Sequence, residues 1–314
     1  MKNILIILAM LAVTPGMALA GTRIGVSMPR FDDTFLAVLQ GGMAATARAM
    51  QVELHVESAQ NDVARQIAQI RRFAAADMEA VIVVPVDTTA TQAMSDAAAA
   101  AHVPLVYVNR QPINLDTLPD TQAFVGSNED QSGTLQTAEV CRLLKEAGKA
   151  EAQVYVMMGD LANQAAVQRT QDVHDVIVTG QCAVTLVILD EQSANWSREQ
   201  ARTLMNSWIA AGKPFDAVIA NNDAMALGAI EAMKAAGVDA KTVVVGGIDA
   251  TRDGLAAMQA GELDVTVFQD AAAQGARALD AAVRLAHAER AERKVHIPFE
   301  LVTPDNMAGF LGRN

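Results

Sequence analysis

Short aliphatic and β-branched runs alternate with longer alanine-rich stretches along almost the whole chain. RIGVSM reads as a strand and Phe35 to Met50 as the helix after it. ELHVES precedes a helical stretch from Asp62 to Ala76, AVIVVP leads into Thr89 to Ala101, and VPLVYV follows. A second series begins with AFVGS and a helix from Gln131 to Ala147. It continues through QVYVMM, VTLVIL, DAVIAN, TVVVGG and DVTVFQ, each ahead of a helical segment. Strands alternating with helices predict βαβ units and a parallel sheet. Strands that are apolar throughout predict sheets covered on both faces. There are too many strands for one comfortable sheet, so the pattern predicts an α/β fold of two doubly wound, Rossmann-like lobes. The irregular NRQPINLDTLPDTQ joins the two series, and the first crossing is expected near Ala123 to Ser127.

Residues 1–20 do not fit the alternation. MKNILIILAMLAVTPGMALA has a basic start, an apolar stretch broken by Pro15 and Gly16, and a small-x-small ending at Ala18 to Ala20. It reads as a secretory leader cut before Gly21 and places the mature chain in the periplasm. The charge balance, 24 basic against 36 acidic residues for a net −12, argues against nucleic acid or an anionic membrane as partner. Two cysteines, Cys141 and Cys182, would be able to pair in an oxidising compartment; their spacing alone leaves a disulfide and two buried thiols equally open.

Ligands of open parallel sheets bind beyond the carboxyl ends of the strands. The informative residues are therefore the polar strand exits: 30–34, 85–88, 109–111, 159–169, 192–196, 221–223, 249–253 and 269–270. One exit stands out in VIANNDAMALGAIEAM, where Asn221, Asn222 and Asp223 separate an apolar run from a helix. A single Asp would cap that helix; the two asparagines are surplus to capping. Together the exits carry Asp, Asn, Gln and Arg with an occasional aromatic. That set suits a neutral ligand dense in hydroxyls, each of which donates and accepts. Trp196, ahead of the capping sequence SREQ, reads as a stacking face for a sugar-like ring, with a staple on its own helix as the alternative. Trp208 reads as core. Arg110 and Arg169 read as ligand donors, with structural ion pairs as the alternative, and Asp249 as a ligand contact or a helix cap. Enzyme signatures are missing: no G-x-G-x-x-G follows the first strand, and there is no P-loop, G-x-S-x-G or H-E-x-x-H. No catalytic residue, metal site or cofactor is expected.

ANNDAMALGAIEAMKAAG and VVVGGIDATRDG resemble the type I periplasmic sugar-binding proteins of ABC transporters, the ribose-binding group, and the likeness spans nearly all of the chain beyond the leader. MMGDLANQAAVQRTQDVHDVI with DEQSANWSREQARTLMNSWI is most similar to the inositol- and rhizopine-binding branch. The resemblance implies ligand contacts at Asp33, Phe35, Asn109, Arg110, Arg169, Trp196, Asn222 and Asp249, with Gln269 beside a hinge. It implies three interdomain crossings, with residues 21–125 and 270–298 in an N-terminal lobe and 126–269 and 299–314 in a C-terminal lobe. It also implies a monomer that closes on a sugar or cyclic polyol and delivers it to an ABC permease in the inner membrane. Ribose-like members carry Asn where Asp33 stands, Asp where Asn109 stands and often a second aromatic where Leu36 stands. These departures argue against ribose itself and leave inositol, another cyclic polyol or a different aldose open. A chemoreceptor-coupled sensor of the same fold and an exported carbohydrate-acting enzyme are the remaining alternatives.

Overall fold

The computed structural model describes residues 21–314, so the expected leader lies outside the described residues. The first series forms β1 (Arg23–Met28), α1 (Thr34–Met50), β2 (Glu53–Ser58), α2 (Val63–Ala75), β3 (Ala80–Val83), α3 (Thr91–Ala100), β4 (Leu105–Val108) and β5 (Gln122–Gly126). The second forms α4 (Ser132–Glu146), β6 (Glu151–Met158), α5 (Gln164–Val178), β7 (Thr185–Ser193), α6 (Arg198–Ala210), β8 (Ala217–Ala220), α7 (Asp223–Ala235), β9 (Val244–Gly246), α8 (Arg252–Gln259) and β10 (Thr266–Gln269). The chain ends with α9 (Ala271–Ala286), β11 (Lys294–His296) and β12 (Phe299–Val302). The stretch expected as one helix from Thr89 begins with a 3-10 turn, Thr88–Ala90, held by Asp87, whose carboxylate accepts the Thr89 N–H.

β11, β5, β4, β3, β1 and β2 lie side by side in one parallel sheet. Alternate residues feed its two faces. Ile24, Val26, Ile82, Val106 and Val108 pack under α1 and α9, while Val81, Val83, Leu105 and Tyr107 pack against α2 and α3. Small residues let α1 and α9 approach closely: a Cβ at Gly275 would sit 2.2 Å from the Leu39 carbonyl oxygen. Burying aliphatic side chains of this size is worth about 1.5–3 kcal/mol each, which fixes the sheet between its two helix layers.

The second sheet runs β7-β6-β8-β9, all parallel, and β9 leads through isolated bridges into β10. One strand pair departs from the all-parallel expectation: β10 and β12 are antiparallel. The chain leaves the second sheet along β10, adds α9 and β11 to the first, and returns after Ile297 and Pro298 as β12. A strand entering a lobe beside the strand leaving it has to run the opposite way. Cys141 on α4 and Cys182 after α5 form a disulfide, which settles the alternative left open by their spacing. Trp208 is core as expected, stacked on Tyr155 with ring centroids 4.3 Å apart, and its Nε1 donates to Asp190.

Candidate ligand-binding site

The carboxyl ends of both sheets face a common cleft, and the residues around it come from the strand exits. Asp33 caps α1, its Oδ1 accepting the Leu36 N–H at 3.0 Å, and its Oδ2 accepts from Arg30 at 3.1 Å. Phe35 follows on the first turn. Asn109 leaves β4 at φ 66°, a left-handed conformation Asn tolerates, and its Nδ2 donates to Gln274 Oε1 at 3.1 Å. An aspartate at 109 could not donate that bond. Arg110 is buried and donates through Nη1 to the Pro85 carbonyl at 2.8 Å. Among the described residues no carboxylate comes within ion-pair distance of it. Burial pulls its pKa down to about 10, with Asp33 and Asp160 pulling the other way.

Across the cleft, the surplus of polar residues after β8 has a structural account. Asn222, not Asp223, is the N-cap of α7, accepting the Met225 N–H at 3.0 Å. Asn221 turns back to the neighbouring exit, where its Oδ1 accepts from Gly159 N–H at 2.9 Å and Thr170 Oγ1 at 3.2 Å. Asp223 is fully buried and accepts from Thr251 N–H, Thr251 Oγ1 and Thr266 Oγ1, tying the exit of β9 and the start of β10 to α7. Gly247 makes room for it: a Cβ there would stand 2.4 Å from Asp223 Oδ1. The three residues therefore hold strand exits in register, and only Asn222 also lines the cleft.

Arg169 on α5 is the electrostatic centre. It is 4% exposed and faces Glu129, which is 3% exposed, through Nε at 2.8 Å and Nη2 at 3.3 Å. It also donates to the Asn221 carbonyl at 2.8 Å and to Gln269 Oε1 at 3.2 Å. Burial opposes its charge, but Glu129 and then Asp249 and Asp172 outweigh it and raise its pKa. Asp249 lies 3.9 Å from Arg169 Nη1, at φ 120°, a strained conformation for any residue but Gly, costing on the order of 1–3 kcal/mol. Its N–H donates to Val267 O and its carbonyl accepts from Asn314, which hold it there. Thr251, not Asp249, caps α8. Burial pushes the Asp249 carboxyl well above the usual range despite the attraction of Arg169. Trp196 sits at φ 61° just before the cap Ser197, its ring laid on Gly159, where a Cβ would be 2.2 Å from Cζ2.

All nine residues singled out in the sequence line one cavity that opens to solvent. Leu36, Asn163 and Ala165 complete the wall. Sequence reasoning did not single out two of the buried polar residues. Glu129 sits in SNEDQ beside Asp130, with nothing in the pattern to mark it as the buried one. Asn163 lies inside a recognised exit; it is 1% exposed and neither amide atom bonds to another protein group. The Gln269 Nε2 and Trp196 Nε1 are likewise buried without a protein partner. Such groups cost about 1–3 kcal/mol each unless something bonds them, so the wall favours a ligand studded with hydroxyls. Among the described residues no group of three or more His, Cys, Asp or Glu is arranged to hold a metal ion.

This chain belongs to the periplasmic binding protein domain family, which matches residues 24–290. It is 56% identical over 304 residues to a Rhizobium meliloti protein named "Putative rhizopine-binding protein", covering 96% of this chain and 97% of that one. A solute-binding protein of an ABC transporter from Bacillus halodurans, solved with bound myo-inositol, superposes with a TM-score of 0.86 at 38% identity, covering 94% of this chain and 99% of that one. The Caulobacter myo-inositol-binding protein, also with myo-inositol bound, gives 0.83 at 28% identity over 93% of this chain and 97% of that one. The fold is accordingly the two-lobed periplasmic binding protein type, and the family is one of solute binders rather than enzymes.

Proposed function

We propose that the protein is the periplasmic receptor of an ABC importer and that its ligand is a cyclic polyol of the inositol type, held between the lobes. The mature chain follows a leader at residues 1–20, and the permease receives it as a monomer. The lobes comprise 21–125 with 270–298 and 126–269 with 299–314. Asp33, Phe35, Asn109 and Arg110 contact the ligand from the first; Arg169, Trp196, Asn222 and Asp249 contact it from the second, and Gln269 from the hinge.

The observation that carries this reading is the composition of one cavity wall: six amide or carboxylate side chains and two guanidinium groups from separate strand exits, converging with two aromatic rings. The myo-inositol bound by two similar proteins supports the ligand class. A ligand touching both walls binds the closed form better than the open one, and that difference drives closure. A cyclitol of about 12 heavy atoms at roughly 0.7 kcal/mol each gives about 8 kcal/mol, or near-micromolar affinity. Calorimetric titration of the mature protein tests it. Binding of myo-inositol near micromolar, at least tenfold tighter than ribose, is expected; heat from ribose and none from myo-inositol would refute the ligand class.

A further inference from the structure

Away from the chain crossings, the hydrogen bonds that join the two lobes among the described residues all involve Thr88. It lies after β3, on the first sheet, and is buried. Its partners, Ala162 and Gln164, lie where β6 hands over to α5, on the second. Thr88 N–H donates to the Ala162 carbonyl at 2.9 Å. Its hydroxyl donates to the same carbonyl at 3.1 Å and accepts the Gln164 N–H at 3.1 Å. Gln164 is the first residue of α5, so its N–H is one that the helix itself leaves unpaired. A side chain from the opposite lobe thus caps this helix.

The residue placed to do so locally does not. Asn163 occupies the N-cap position with the extended backbone of a cap, φ −109° and ψ 125°, and Asn is among the best capping residues. Yet its side chain makes no capping bond, and both amide atoms are buried on the cavity wall without a protein partner. The loop bearing Thr88 is held firmly: Asp87 accepts from Thr89, and Arg110, itself in the cavity wall, donates to the Pro85 carbonyl. The facing loop is held by Asp160, whose Oδ1 accepts the Ala162 N–H at 3.0 Å.

We propose that Thr88 is the positioning residue of lobe closure: it caps α5 from across the cleft and thereby leaves the Asn163 amide to the ligand. When the lobes part, the Gln164 N–H loses Thr88, and Asn163 turns about its own side-chain torsions to cap the same turn one step on, at the N–H of Ala165 or Ala166. Closure and engagement of Asn163 then favour each other, because the amide serves one partner at a time. This device rests on the binding-protein reading, but not on which polyol is bound.

The test compares Thr88→Val, which keeps the β-branched shape without the hydroxyl, with Thr88→Ser, which keeps the hydroxyl. Spin labels on α2 and α6 report the closed fraction, and stopped-flow with myo-inositol reports dissociation. Thr88→Val is expected to speed dissociation about fivefold, the equivalent of one lost helix cap, with Thr88→Ser within twofold of wild type. Equal dissociation from wild type and Thr88→Val, or equal loss in both variants, overturns the proposal. Should wild type fail to bind myo-inositol, the ligand assignment falls and the latch is judged on the labelled protein alone. There Thr88→Val is expected to lower the closed-to-open ratio about fivefold, and an unchanged ratio overturns it. Thr88→Ala serves in the same assays if the valine variant does not fold.

Discussion

Replacing Glu129 with glutamine isolates the charge at the centre of the second lobe. Arg169 is almost completely buried and meets Glu129 through two nitrogens, at 2.8 and 3.3 Å. Removing one member of a buried pair costs about 3–5 kcal/mol, because the survivor keeps its charge in a medium that solvates it poorly. Two features move this case to the low end. Glutamine retains one oxygen able to accept from the guanidinium, and Asp249 stands 3.9 Å from Nη1, where its ionised form becomes easier to hold once the Glu129 charge is gone. The expected loss is therefore about 3 kcal/mol at pH 7, a fall in melting temperature of roughly 6–12 °C for a chain of this size. Urea denaturation followed by circular dichroism measures it. Glu146→Gln is the control: Glu146 pairs with Arg142, both of them exposed, and its loss should cost less than about 1 kcal/mol. If Glu129→Gln unfolds within 1 kcal/mol of wild type, the argument that this carboxylate sustains the buried arginine is wrong.

The other expectations are briefer. Trp196→Ala should abolish the change in tryptophan emission when ligand binds, since Trp208 is locked against Tyr155 in the core; a persisting change would remove Trp196 from the cleft. Reducing the Cys141–Cys182 bond, which spans a sequence separation of 41, should destabilise the protein by up to about 4 kcal/mol on the chain-entropy account, seen as a lower urea midpoint with reductant. Burial raises the Asp172 pKa from 3.8 to about 6. The folded chain then holds a proton that the unfolded chain has released, so this carboxyl's contribution to stability falls as pH rises from about 4 to about 6. The urea midpoint of Asp172→Asn relative to wild type should therefore rise with pH across that window, and a difference that stays constant or falls would refute the shift.

The repeating strands and helices were legible because both faces of each sheet are covered, so the apolar runs are continuous and their ends sharply polar. The same sharpness made the cavity wall legible: each strand exit is a short place where polar side chains gather between an apolar strand and an amphipathic helix, even where they also cap that helix. What was hidden depended on distant partners. Nothing local distinguishes Glu129 from Asp130, because its burial comes from Arg169, forty positions on. Capping of α7 is what the sequence offers Asp223, whereas the cap falls to Asn222 and Asp223 is drawn inward by Thr251 and Thr266. The reversed pairing of β12 could not be seen in its four residues, since strand direction is set by the route of the chain and not by side-chain pattern.

The return of α9 to the first sheet has a consequence for how the polypeptide is made. One face of that sheet, with Ile24, Val26, Ile82 and Val106, is roofed jointly by α1 and α9, and α9 ends only at Ala286. A chain emerging amino end first therefore carries a half-roofed sheet until nearly all of it has been synthesised. Its earliest third completes the cover of its own sheet only when α9, more than two hundred residues after β1, has arrived.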